Sequence, residues 1–196
     1  MGARHAALGA FLASATIPAA GLAGAPLLPW YAAWVGGSML PDIDTHRANA
    51  ATVWGPISGV FAAIAGPLVG GHRGLTHRWW APLVALIVGE LALLWWPAAV
   101  ALTAYVIGLA LRMAAPYTTR WLRPWPVNLA LSLGVASAII DGHAALWWAP
   151  PVVAAAVAGH IWIGDRIPLR TGTAPEVAIG GILLAAAVWL TWMQLA

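Results

Sequence analysis

Long apolar segments alternate with short polar or turn-rich breaks along the whole chain. Segments of about twenty apolar residues are long enough to cross the hydrocarbon core of a membrane as helices. A further apolar segment, residues 54–70, is broken by Gly55-Pro56, Gly59 and Gly66-Pro67, and we interpret it as a re-entrant or interfacial helix. The pattern predicts an all-α polytopic transmembrane bundle, a single domain over residues 1–196, with about seven spans. These spans are expected near residues 5–24, 28–40, 79–96, 98–115, 127–140, 150–165 and 176–195.

The arginines support this topology independently. If residues 54–70 do not cross the membrane, every arginine falls on or near one side, and if they do cross, the bias disappears. Loops rich in Lys and Arg are typically cytoplasmic, so we expect a cytoplasmic N-terminus. The apolar run at residues 6–28 follows Arg4 as in a signal peptide, but it is longer than a usual signal core, and we interpret it as a retained helix. The arginines are Arg4, Arg47, Arg73, Arg78, Arg112, Arg120, Arg123, Arg166 and Arg170.

Composition narrows the class of protein. The chain is 62% hydrophobic and only 8% charged, with 14 Trp and no Cys. The absence of cysteine excludes disulfides, thiolate ligands and thiol nucleophiles. A net charge of +3 can indicate nucleic-acid binding. Here the arginines are dispersed among apolar segments, so we expect a lipid bilayer as partner and no nucleic acid, and the oligomeric state stays open.

The most polar segment of the chain runs from Gly70 to Arg78 and contains two histidines. His72 and His77 are five residues apart, which is not one helical turn, so at least one of them must lie on a turn. Upstream, Asp42 and Asp44 follow a short apolar helix, and two carboxylates this close repel each other unless a cation is present. Taken singly, each residue could be a helix cap or a solvated loop residue.

The combination is more informative, because the predicted topology brings all the candidate residues to one membrane face. Imidazole and carboxylate without thiolate suit Zn²⁺, Mn²⁺ or Fe, and carboxylate-rich sites also take Mg²⁺. A bound metal could supply a hydroxide nucleophile, and Arg73 and Arg78 could hold an anionic substrate such as a phosphate. The candidates at this face are His5, Asp42, Asp44, His72, His77, His160 and Asp165.

Two motifs in this set resemble a known family. Leu40-Pro41-Asp42-Ile43-Asp44 and Gly71-His72-Arg73-Gly74-Leu75-Thr76-His77, with the later His160 and Asp165, are similar to the YdjM-like inner-membrane proteins, described as metal-dependent hydrolases of bacterial membranes. The resemblance covers about residues 5–175 and implies a multi-pass protein of the bacterial inner membrane. It implies metal-ligating or catalytic roles for Asp42, Asp44, His72, His77 and His160, with His5 as a further candidate. Together with the residue chemistry above, we expect Asp42, Asp44, His72, Arg73 and His77 to be catalytic. We expect a divalent metal, Zn²⁺ first, to be held by His5, Asp42, Asp44, His72, His77, His160 and Asp165.

One departure from the family pattern concerns the late helix. The family places His and Asp four residues apart there, so that both face one way. In this chain the gap between His160 and Asp165 is five, and Gly164 holds the usual position of the acid. Whether Asp165 is a ligand or a residue that orients His160 stays open.

Three functions are compatible with these patterns. The first is a metal-dependent hydrolase at the cytoplasmic interface, acting on a phosphoester or lipid-linked substrate. The second is a transporter or proton-coupled carrier, in which Glu90, Asp141 and His143 form a polar path across the bilayer. The third is a non-catalytic membrane protein with a structural metal site. We also expect Glu90 to lie close to Asp141 or His143, because unpaired ionisable groups are costly in hydrocarbon.

Overall fold

The computed structural model describes residues 3–20, 27–45, 48–68, 70, 74–114, 124–142 and 147–166, and all regular elements within them are helical. The all-α prediction is therefore confirmed for the described residues. The α-helices are α1 (Ala3–Ala20), α2 (Leu27–Gly37), α3 (Asn49–Thr52), α4 (Pro56–Leu68), α5 (Ala81–Leu93), α6 (Trp96–Ala114), α7 (Trp125–Gly142) and α8 (Ala149–Trp162). The same described residues also contain three short 3-10 helices, Leu40–Asp44, Leu75–His77 and Gly164–Arg166.

Most predicted segments correspond to observed helices, with ends shifted by a few residues. The predicted helix at 28–40 ends early, at Gly37, and the chain continues into the 3-10 helix Leu40–Asp44. Between the predicted segments 28–40 and 54–70, the chain forms the short α3. Proline starts several elements, as in α5 and α8, because its missing N–H is unpaired in the first turn anyway. The predicted helix at 176–195 lies outside the described residues.

Helix α2 lies at the centre of the bundle and packs against α1, α6 and α8, while α5 packs on α8 and α7 on α6. Glycines permit these close approaches. A Cβ built on Gly9 of α1 would lie 2.6 Å from the Trp34 carbonyl oxygen of α2, and one built on Gly36 would meet the backbone of Val106 in α6. Small residues at such crossings are typical of helix packing in membranes.

The outer surface is apolar on α4 and α5, where Phe61, Leu83 and Leu91 are all more than half exposed. By length and composition, one described helix, α6, is long and apolar enough to cross a membrane, through its segment Trp96–Met113. Two other described helices, Ala81–Leu93 and Trp125–Asp141, are apolar but shorter.

One end of the bundle collects the elements that carry the candidate residues, and we call it the site end. Helices α1 and α5 begin there, and α2 and α8 end there, with the 3-10 helices packed among them. Helix α4 also packs against the 3-10 helix Leu40–Asp44 and against α3. The opposite end, marked by Trp96, Asp141 and Trp148, we call the distal end.

Candidate metal centre

Four side chains from four separate segments converge at the site end. They are Asp42, His77, His160 and Asp165, and we call this set the site cluster. The Nε2 atoms of His77 and His160 are 3.2 Å apart. Asp42 Oδ1 lies 3.9 Å from both of these nitrogens. The Asp165 carboxylate straddles the pair, with Oδ2 at 3.7 Å from His77 and Oδ1 at 3.7 Å from His160.

His160 is fully buried, and a backbone carbonyl orients its ring. Its Nδ1 lies 2.6 Å from the carbonyl oxygen of Ser38. That carbonyl lies just past the end of α2, where helical carbonyls lack partners within the helix. Because a carbonyl only accepts, Nδ1 must carry the proton of this bond, and in the neutral ring Nε2 then presents its lone pair to the site cluster.

His77 is oriented by a hydroxyl and a carboxylate that lie behind it. Thr76 donates its hydroxyl proton to Asp44 Oδ2 at 2.6 Å, so the Thr76 oxygen can accept from His77 Nδ1 at 3.1 Å. Thr45 bonds the other Asp44 oxygen at 3.1 Å. Asp44 itself lies 3.6 Å from His77 Nδ1. It therefore contacts the far side of the imidazole, while His77 Nε2 points into the site cluster.

The electrostatics of His77 combine opposing effects. Burial lowers the pKa of His77 below its ordinary value, and neighbouring His160 lowers it further. The carboxylates of Asp165, Asp44 and Asp42 oppose this lowering of the pKa. The net direction favours a neutral imidazole at His77, which is the form that binds metal ions.

His5 lies beside the site cluster, against His160. The two rings stack with centroids 3.8 Å apart. Arg4 donates from Nε to His5 Nε2 at 3.3 Å, and His5 Nδ1 is buried with no hydrogen-bond partner in the described part of the chain. His5, Asp42 and His160 also bring potential ligand atoms within 4.8 Å of one another, as do His77, His160 and Asp165. The described residues thus include two groups, sharing His160, that could hold a metal ion.

The five-residue spacing to Asp165 has a structural explanation. Helix α8 ends at Trp162, and Asp165 lies in the following 3-10 helix, which turns its carboxylate toward both imidazoles. A Cβ built on Gly164 would lie 2.6 Å from His5 Nδ1, so no larger residue fits at that position without a shift. The sequence carried a signal for this arrangement, because glycine just after a helix commonly marks its end.

Other candidate residues are not part of the site cluster as described. His72 and Arg73 lie outside the described residues. Arg78 follows His77 and is exposed. The Ser38 carbonyl, which orients His160, had no signal in the sequence, because any backbone carbonyl could have taken that role.

The acids toward the distal end are arranged differently. Asp141 accepts a hydrogen bond from Trp96 Nε1 at 3.1 Å. Glu90 is exposed on α5, and no hydrogen bond or ion pair joins it to Asp141 within the described part of the chain. The expected pairing of Glu90 with Asp141 is therefore absent there, and His143 lies outside the described residues.

Comparison with known proteins identifies the family of this chain. No curated protein and no solved structure shows a significant match to it. The family model described as YdjM inner membrane protein matches residues 1–195. A match over nearly the whole length agrees with the two polar motifs and with the apolar helices that surround them. The chain belongs to the YdjM inner membrane protein family, whose location is the bacterial inner membrane.

Proposed function

We propose that this chain is a membrane-embedded, metal-dependent hydrolase whose ion is held by Asp42, His77, His160 and Asp165. The observation that carries the proposal is the 3.2 Å distance between the Nε2 atoms of His77 and His160. Their Nδ1 atoms are engaged by Thr76 and Ser38, so both Nε2 lone pairs point at each other. Two facing lone pairs in a buried site are unfavourable unless a proton or a metal cation lies between them.

The spacing of the site cluster fits the coordination shell of one ion. Ligands at 2.0–2.2 Å from a tetrahedral Zn²⁺ are about 3.3–3.6 Å from one another. The two Nε2 atoms of the cluster are 3.2 Å apart, and each carboxylate has oxygens 3.7–3.9 Å from both of them. Two imidazoles and two carboxylates without thiolate favour Zn²⁺, with Mn²⁺, Fe or Mg²⁺ as alternatives. Since Nδ1 of His160 is bonded to the Ser38 carbonyl, only its Nε2 can bind an ion. The group His5, Asp42 and His160 therefore cannot hold a second ion beside the one at the site cluster.

Each residue around the ion has a definable role in hydrolysis. With three of these four side chains bound to it, a Zn²⁺ ion would keep one position for a water molecule and would lower the pKa of that water toward neutrality. Asp44 and Thr76 hold His77 in its ligand tautomer, and the Ser38 carbonyl does the same for His160. Arg4, which is half-buried beside His5, brings positive charge to the site end, together with the exposed Arg78 that follows His77. Such guanidinium groups favour an anionic substrate, so we propose a phosphoester, free or lipid-linked.

We further propose seven spans with a cytoplasmic N-terminus and α4 as a re-entrant or interfacial helix. The arginine distribution supports this, as does the packing of α4 against the 3-10 helix Leu40–Asp44. Single cysteines that replace the exposed Ala3 and Arg78 should react with a membrane-impermeant maleimide from the cytoplasmic side in both cases. Reaction from opposite sides would contradict the proposed topology.

The decisive experiment measures metal content and hydrolysis in the same preparations. The parent chain, purified in mild detergent, should carry about one ion per chain, and His77→Ala/His160→Ala should carry almost none. Glu90→Gln/Asp141→Asn is the matched control and should retain the ion, because both acids lie away from the site cluster. Equal metal content in the two variants, with both folded, would refute the metal site.

Hydrolysis assays then separate the enzyme from the other two functions. The parent should cleave p-nitrophenyl phosphate or phosphatidic acid, and a chelator should stop the reaction. Metal binding without any hydrolysis would favour the structural metal site instead. A carrier needs polar groups at graded depths, and Glu90 and Asp141 form no such continuous path in the described part of the chain.

A further inference from the structure

An apolar groove runs between α2, α5, α6 and α8, from Trp148 at the distal end toward Leu40 at the site end. Its cavity volume is about 120 Å³. Thr103 and Trp148 are the only described lining residues with polar side-chain atoms. Val88, at the groove and 51% exposed, shows that the groove opens to the apolar exterior of the bundle. An accessible, almost wholly apolar cavity of this kind is a ligand site in many proteins.

One end of the groove approaches the candidate metal centre through Leu40. Leu40 lines it and begins the 3-10 helix that carries Asp42 and Asp44. On α5 the lining extends from Ala85 to Leu93, which corresponds to about 12 Å at 1.5 Å per residue. One leaflet of a 30 Å hydrocarbon core is about 15 Å deep. The groove therefore has nearly the length of one leaflet, and its lining residue Leu40 is two positions before Asp42 in the 3-10 helix.

The chemistry of the lining selects the class of ligand. A bound peptide would bury amide groups with almost nothing to bond them, which is costly. Ordered water needs two to four polar partners, which the lining does not offer. A hydrocarbon chain has no polar groups and therefore needs no hydrogen-bond partners in the lining. The groove is therefore suited to one acyl chain, with the polar head of the same molecule at the site cluster.

We propose that the groove binds one acyl chain of a phospholipid whose phosphate reaches Asp42, His77, His160 and Asp165. This inference rests on the proposed hydrolase function and names its substrate class. For phosphatidic acid, water would add to phosphorus, the bond from phosphorus to the glycerol oxygen would break, and that oxygen would take a proton from the water. The products would be diacylglycerol and inorganic phosphate.

The test uses the full chain in phosphatidylcholine vesicles that contain phosphatidic acid with a diazirine in one acyl chain. Light should attach this lipid to peptides that line the groove, residues 85–93 and 99–107. Ala92→Phe narrows the groove and should reduce the labelling about tenfold, the factor expected when contacts to two methylene groups are lost. Leu91→Phe, on the exposed face of the same turn, is the matched control and should label like the parent.

A second pair of variants guards against misfolding of the first. Ala85→Phe lies on the groove one heptad nearer the site cluster, and Val84→Phe is its exposed control. Two outcomes would overturn the proposal. One is labelling that spreads evenly over the exposed face of α5. The other is a lack of labelling on the lining peptides because residues 176–195 or a second copy of the chain fill the groove.

Activity measurements distinguish failure of the groove from failure of the hydrolase. If the groove binds lipid, Ala92→Phe should lose hydrolysis of phosphatidic acid about tenfold and keep hydrolysis of tail-less p-nitrophenyl phosphate. Equal loss for both substrates would overturn the groove proposal. If the parent cleaves neither substrate, the proposed hydrolase fails, and the labelling pattern still decides whether the groove holds an acyl chain.

Discussion

The site end and the distal end of the bundle both carry acidic residues, but the chain arranges them differently. At the site end, Asp42 and Asp165 face two imidazoles within 3.9 Å. Toward the distal end, Asp141 bonds an indole N–H, and Glu90 lies exposed on α5. Similar residue types in an apolar chain thus form a cluster in one place and stay apart in the other.

The difference follows from the local backbone. Asp42, His77 and Asp165 all lie on 3-10 helices, which end or interrupt the regular α-helices and redirect side chains inward. Glu90 and Asp141 lie within regular α-helices, where the side-chain direction follows the helix face. Breaks in the helices, rather than the number of acids, therefore indicate where a site can form in this chain.

The largest expected effect comes from removing the metal ion. An ion that binds only the folded chain and is present at 1,000 times its Kd stabilises it by about 4 kcal/mol. A chelator should therefore lower the free energy of unfolding of the parent by roughly this amount, as measured in mixed dodecylmaltoside and SDS micelles. His160→Ala should abolish the chelator effect, and Asp141→Asn should preserve it. A chelator effect that survives in His160→Ala would place the ion elsewhere.

A smaller effect is expected from the hydroxyl that orients His77. Thr76→Val removes the bond to Asp44 and the acceptor for His77 Nδ1. Loss of such an orienting partner typically weakens metal affinity by about 10–100-fold, which competition with a chromogenic chelator would measure. Thr16→Val is the control, because the Thr16 hydroxyl bonds its own helix at the Leu12 carbonyl. Unchanged affinity in Thr76→Val would show that His77 does not need this support.

Gly164 tests whether the break after α8 is required by packing. Gly164→Ala places a methyl group 2.6 Å from His5 Nδ1, and forced contacts of this kind cost about 1–3 kcal/mol. Gly134→Ala, in the middle of α7, meets no neighbour within 4 Å and should be neutral or stabilising by up to about 1 kcal/mol. Equal stability of the two variants would mean that His5 can move aside at no cost.

The positions of the helices could be predicted from the sequence, whereas their packing and the position of Asp165 could not. Helix positions followed from the lengths of apolar segments and from proline and glycine breaks. The central place of α2 could not be predicted, because a helix that is apolar on every side has no pattern that points to its neighbours. The position of Asp165 was left open, since it depends on where α8 ends and on the contact between Gly164 and His5.

Within the bundle, an uncharged polar residue extends the comparison. Asn128 of α7 is fully buried and donates from Nδ2 to the Gly108 carbonyl of α6 at 3.0 Å. Its Oδ1 and the Nε1 of Trp54 are both buried without a hydrogen-bond partner in the described part of the chain. A Cβ built on Gly108 would lie 2.8 Å from Asn128 Oδ1 and 3.0 Å from Trp54 Nε1. On folding, the Asn128 side-chain amide therefore gains a hydrogen bond at Nδ2 and loses the hydrogen bonds to water at Oδ1.

The smallest expected effect follows from this balance. Interhelical hydrogen bonds in membranes contribute about 0.6 kcal/mol on average, and Asn128→Ala also removes the unpaired Oδ1, so it should cost about 1 kcal/mol or less. Gly108→Ala should cost more, about 1–3 kcal/mol, because the new methyl group meets Asn128 and Trp54. The double variant should recover part of that loss, since Asn128→Ala frees the space in front of Gly108. Unfolding free energies in the same mixed micelles would measure all three. Asn128→Ala could instead lower the free energy of unfolding as much as removal of the metal ion does. That result would contradict the view that charge and metal binding distinguish the site end from the rest of the bundle.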